Sequence, residues 1–176
     1  QDLPSHQRTL RATIQRSYEL LRVEEQSLLW RLGVFVGGFD LAAVEAIGGW
    51  RLEIGDGRSI TETLQSPISS LQSLIVKSLV RAQTQATGEQ RFSLLETIRE
   101  FALEQLRLHG EEEAARQWHY VHYLARFRTA DQHLRGPEAA AWFARLHPEF
   151  DNLRAAMRWT LDQAHYEDTA WLILAA

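Results

Sequence analysis

The stretch Arg91–Leu106, "RFSLLETIREFALEQL", changes its apolar spacing partway through, with no glycine or proline at the change. Phe92 and Leu94 alternate with polar residues, the period of a half-buried strand. From Ile98 the apolar positions fall at Ile98, Phe101, Ala102 and Leu106, the spacing of one helix face. What precedes the junction explains why a strand should pass straight into a helix.

Upstream, Leu79–Thr84 and Arg91–Leu95 read as two strands around "QATGEQ", where Gly88 suits a hairpin turn. Four helices are predicted before them. Thr9–Leu21 carries Leu10, Ile14, Tyr18 and Leu21 on one face, and Glu24–Leu32 carries Leu28, Leu29 and Leu32. Val23 gives that second helix a weak start. Gly37-Gly38 permits a turn, after which Asp40 is placed to cap a short helix through Ile47. "WRLEIGDGRS" has no clear period and reads as a loop, with helical signals returning near Ser59. Ser66 then caps a helix with Pro67 at its first position, bearing Ile68, Leu71, Leu74 and Ile75. Helix, helix, helix and hairpin is the order of a winged helix-turn-helix. In that arrangement the helix after the wing closes a small core, which accounts for the junction at Leu94 and Leu95.

Beyond Gly110 the pattern is helical throughout. Glu111–His133 is predicted as one long helix with Trp118, Val121 and Ala125 on its stripe, ended by "RGP" at Arg135–Pro137. Glu138–Leu146 follows, with Trp142 and Phe143. Pro148 and Asp151 open a helix carrying Leu153, Met157, Leu161 and Ala164, and a last one begins near Asp168. Antiparallel helices on short turns suggest the start of a TPR-like α-solenoid, although no internal repeat supports it alone. The expected fold is therefore mainly α. It has a winged-helix domain with a small β-hairpin over residues 1–109 and a helical arm over 110–176.

Composition narrows the function. The 176 residues are 45% hydrophobic and 24% charged, as in a globular protein, and contain no cysteine for disulfides or thiolate metal sites. No apolar run approaches the roughly 20 residues that cross a bilayer, which excludes a membrane role of that kind and fits the cytoplasm. The absence of an initiating Met and the ending "TAWLILAA" suggest a piece of a longer protein. Net charge is −4, Lys77 is the only lysine, and neither side of Gly110 carries a basic excess.

That charge balance weighs against direct DNA contact, which draws on neutralised phosphates. The helix that would enter a groove, "SPISSLQSLIVKS", offers Ser69, Ser70, Gln72 and Ser73 with Lys77 at its end. If DNA were bound, Gln72, Ser73, Lys77 and the wing's Arg91 would contact it. "HYVH" sets His119 and His122 three apart on a helix, without the zinc-protease spacing and without a fixed third ligand; surface or partly packed histidines are expected. No G-x-x-x-x-G-K-[ST] exists, so the chain builds no P-loop, and no catalytic triad is recognisable. Glu96, Arg99, Glu100 and Glu104 lie on the junction helix at neighbour spacing, where a solvated face is the simplest reading.

"TLRATIQRSYELL", "FVGGFDLAAVEAI", "LIVKSLV", "RFSLLETIREFALEQL" and "FDNLRAAMRW" together resemble one bacterial family. They resemble the segment after the nucleotide-binding domain in STAND-class signalling ATPases, including LuxR- and Afs-type transcriptional regulators. "SYELL" also resembles the opening of the corresponding segment in plant NB-ARC immune receptors. The resemblance implies a non-enzymatic regulatory role. The winged helix would pack on the parent's own P-loop ATPase core and hold its ADP-bound off state. Helical repeats after it would sense an inducer or a protein partner. ADP or ATP with Mg would belong to the parent, and no cofactor to this segment. The family's Met-His-Asp motif falls on Leu94, Leu95 and Glu96, with Arg99 and Glu100 matching the pattern that follows. Leu95 stands where the family has its phosphate-facing histidine and offers no hydrogen-bond donor. These five residues are the expected interdomain switch surface. Two readings of other classes stand beside it: a DNA-binding winged helix with a helical dimerisation arm, and a plain helical scaffold.

Overall fold

A computed structural model describes residues 5–49, 66–85 and 88–163. Within them the element order follows the punctuation of the sequence. Four helices come first: α1 Ser5–Glu19, α2 Val23–Leu32, α3 Leu41–Gly49 and α4 Pro67–Val76. Strands β1 Arg81–Thr84 and β2 Gln90–Ser93 follow, then α5 Glu96–Leu108, α6 Glu112–Asp131 and α7 Ala139–Leu146. A 3₁₀ turn, His147–Glu149, leads into α8 Phe150–Asp162. The segments 50–59 and around Ser59, together with Ala164 and the helix near Asp168, lie outside the described residues.

The local signals act as their chemistry requires. Asp40 Oδ1 accepts from the Ala43 amide at 2.9 Å and Ser66 Oγ from the Ile68 amide at 3.3 Å, so each satisfies a donor that its helix leaves open. Arg22 before α2 makes no side-chain cap, and the start of that helix is braced instead by Glu25, which accepts from the Arg22 amide at 2.9 Å. β1 and β2 pair antiparallel with Arg81 opposite Ser93 and Thr84 opposite Gln90. Both strands are shorter than the sequence suggests. Phe39 extends the sheet as a single bridge to Phe92, with N–H···O bonds of 2.9 and 2.8 Å in the two directions. Phe39 and Phe92 are both buried, and burial of each such ring contributes about 1.5–3 kcal/mol.

The junction at Leu94 and Leu95 closes the core as the period change implies. Leu95 is the extended residue before α5, and Ile98, Phe101, Ala102 and Leu106 are buried. Tyr18 on α1 meets Phe101 edge-on at 5.3 Å, so α1 packs on α5, which in turn packs on α2. One cluster of buried side chains runs from Ile14 through Phe92 to Tyr123, Leu153 and Ala156.

Three buried faces differ from the spacing argument. Leu10 is 44% exposed, leaving Ile14, Tyr18 and Leu21 as the inward face at α1. On α6, Val121 is 52% exposed and Ala125 is also exposed, while Ala115, His119, Tyr120, Tyr123, Leu124, Phe127 and Ala130 are buried. The cause is that α6 packs against α3, α5, α7 and α8 at once, so its buried arc is broad and includes polar rings. On α8, Leu161 is half-exposed and Thr160 takes the inward position.

Candidate nucleic-acid interface

α2, the Phe39 bridge, α3, α4 and the β1–β2 hairpin follow one another around a shared core. In this order α4 occupies the position of a recognition helix and the hairpin that of a wing. Residues 21–107 match the family of winged helix-turn-helix domains. The described residues within this span take the winged helix-turn-helix arrangement.

The relatives agree. A Mycobacterium bovis protein named "Putative HTH-type transcriptional regulator" is 38% identical over 168 residues, covering 94% of this chain and 18% of its own length. A Mycobacterium tuberculosis protein with the same description matches equally. An uncharacterized Mycobacterium tuberculosis protein is 34% identical over 131 residues, covering 74% of this chain and 28% of its own. The chain thus spans less than a third of the length of these curated relatives. No solved structure matches it significantly.

The winged helix presents α4 through Gln72, which is exposed, and Ser69 and Ser73, which are half-buried. Ser70 instead faces the core at 2% exposure. Val76 is 84% exposed at the C-terminal end. Lys77 follows it, and its Nζ lies 2.7 Å from Glu25 Oε2. Glu25 is buried, which alone would raise its pKa; hydrogen bonds from Lys77, Ser73 and Arg22 outweigh that and bring it to about 2. Both Lys77 and Ser73 are therefore engaged by α2.

Arg91 is also held inside the fold. Its Nη1 lies 2.7 Å from Glu149 Oε1, and its Nη2 donates to the carbonyls of Pro148 at 2.6 Å and Gly38 at 3.2 Å. The side chain is 14% exposed. The cation that the wing does present is Arg81, on β1, where every residue is exposed and no ion pair ties it among the described residues. The spacing argument passed over Arg81.

Leu94, Leu95, Glu96, Arg99 and Glu100 sit together where β2 passes into α5. Leu94 is half-buried, Leu95 is 40% exposed, and Glu100 is exposed. Arg99 pairs with Glu96 at 2.6 Å and reaches the Gly33 carbonyl at 3.4 Å. The Arg99 hydrogen bond draws the Glu96 carboxyl below its ordinary range. Glu104 departs from a plain solvated face by binding Arg11 of α1.

Behind the wing is a polar seam that the spacing argument did not find. Glu149, 1% exposed, receives Arg91, the Tyr123 hydroxyl at 2.9 Å, Asn152 Nδ2 at 3.1 Å and Arg126 at 3.5 Å. Asn152, fully buried, accepts from the Val36 amide and donates to the Gly38 carbonyl, both at 2.7 Å. Arg126 also pairs with Asp40, the cap of α3. Burial raises the Asp40 carboxyl, and Arg126 together with the Ala43 amide and His122 more than offsets it, so its pKa falls. The histidines are deeper than expected. His119 is 3% exposed, and burial lowers its pKa to about 3 despite an Asn152 contact at 3.3 Å. His122 is half-buried, its pKa also lowered by burial. No cluster of three or more metal-ligating side chains occurs among the described residues, and Glu112 pairs with Arg107 and Arg116 rather than with the histidines.

Proposed function

We propose that the chain is the winged-helix segment of a transcriptional regulator, acting in the cytoplasm without catalysis of its own, and that the winged helix docks on DNA. The observation that carries this is the winged helix-turn-helix order with an accessible α4, supported by relatives described as HTH-type regulators. Gln72 would reach base edges from α4, and Arg81 would meet a phosphate from the wing. A labelled duplex titrated with the chain at several salt concentrations tests it. Affinity should fall with salt, and Arg81→Glu should weaken binding and flatten the salt slope by about one unit. Salt-insensitive or absent binding overturns DNA docking.

A second reading is favoured by Lys77 and Arg91. Each is committed to an internal carboxylate, which leaves both less available to phosphates. On this reading the segment belongs to a STAND-type regulator, with residues 1–109 as a packing module and residues 110–176 beginning a sensing arm. Leu94, Leu95, Glu96, Arg99 and Glu100 would meet a P-loop ATPase core that carries ADP or ATP with Mg. Coupling of this kind requires a contact that differs between two states. Titration of the chain against that core, with ADP and then an unhydrolysable ATP analogue, tests it. Association confined to the ADP form supports the switch, and association insensitive to the nucleotide sinks it.

A further inference from the structure

An open groove of about 420 Å³ lies between α6 and α7, apart from α4 and the wing. This size is within the range of small-molecule sites. Ala125, Leu146 and the Trp142 indole form its apolar wall, and His122, Arg126, Thr129 and Arg145 supply its polar groups. No carboxylate lines it. Arg126 is balanced by Asp40 and Glu149, so the uncommitted charge is Arg145, which is exposed and has no ion pair among the described residues. Its guanidinium carbon lies 5.7 Å from the Trp142 ring centre. The indole is held in place by stacking on His133 at 4.7 Å and 7°. His122, stacked on Trp118 at 5.0 Å, has a buried Nε2 without a partner among the described residues.

An aromatic wall, one cation with no ion pair among the described residues and no acid in the lining select a flat apolar body with a single negative charge. We infer that the α6–α7 groove binds a small aromatic carboxylate, with its ring against Trp142 and its carboxylate on Arg145. The site does not depend on the DNA reading, because it requires only the arm to be folded.

The test is a titration of the ¹⁵N-labelled full chain with benzoate, read at the tryptophan indole N–H signals, with Trp142 assigned from Trp142→Phe. Benzyl alcohol serves as the neutral probe of the same shape. A saturable benzoate shift at Trp142 is expected, with benzyl alcohol at least about tenfold weaker. Arg145→Gln should weaken benzoate at least about fivefold, while Arg158→Gln, on the exposed side of α8, leaves it unchanged. Superposable spectra away from the groove confirm that the Arg145 variant is folded. Absence of a saturable shift, or equal response to both probes, or indifference to Arg145→Gln would each overturn the proposal.

Discussion

Glu149 is a buried carboxylate with two guanidinium partners, a tyrosine hydroxyl and an amide around it. Removing its charge leaves Arg91 and Arg126 without their common counter-ion in a dry site. Breaking a buried pair from one side costs about 3–5 kcal/mol. Glu149→Gln should therefore lower stability by about 3 kcal/mol in urea titration, and an effect within about 0.5 kcal/mol would show the pair to be dispensable. His119 makes a different prediction. Its folded pKa of about 3 lies below the ordinary 6.5, so below pH 6.5 the unfolded chain takes up a proton that the folded one refuses. Stability is complete above pH 6.5 and declines as the pH falls toward 3. The decline approaches about 1.4 kcal/mol per pH unit, or about 2 kcal/mol at pH 5. His122 adds to it with the same sign. His119→Gln should remove about 2 kcal/mol of the stability difference between pH 7.5 and pH 5, measured by denaturation at both.

Among the elements, the loop from Val36 to Asp40 passes close against the backbone of β2. Gly38 has φ near +110°, and a Cβ there would stand 2.7 Å from the Phe92 carbonyl oxygen. Gly88, at the wing tip, has φ near +84° but open space around the same atom. Gly38→Ala should lower the melting temperature well beyond Gly88→Ala. The first combines strain of about 1–3 kcal/mol with a backbone clash, and the second has the strain alone. Equal shifts would mean that the β2 approach yields freely. The helices and the hairpin were legible because their signals are local: Asp40 and Ser66 as caps, Pro67 at a first turn, and the change of period at Leu95. The seam was not legible, because Arg91 finds Glu149 across 58 residues and Val36 finds Asn152 across 116. Asn152 lay inside "FDNLRAAMRW", one of the stretches that carried the family resemblance, but nothing in that stretch names its partners. The α6 stripe was misplaced because four neighbours bury it on several sides, and a single periodic face cannot represent that.

At the scale of the whole molecule, the wing and the arm share one buried cluster and one polar network. Calorimetry of the chain should show one cooperative transition rather than two, since one buried apolar cluster joins the two parts. Two resolved transitions, or a van't Hoff enthalpy well below the calorimetric one, would show that the seam does not couple them. The family match ends at residue 107, whereas the carboxylate partner of Arg91 and the acceptor of the Val36 amide lie beyond it, and the Gly38 carbonyl takes one of its two bonds from there. In heredity the two halves are therefore not freely exchangeable parts. A recombination event that joined this wing to a foreign arm would have to bring counterparts of Glu149 and Asn152, or leave a guanidinium without its carboxylate and the Val36 amide without its acceptor. Crossovers that keep both sides of the seam should survive, and the wing and arm of such chains should descend together.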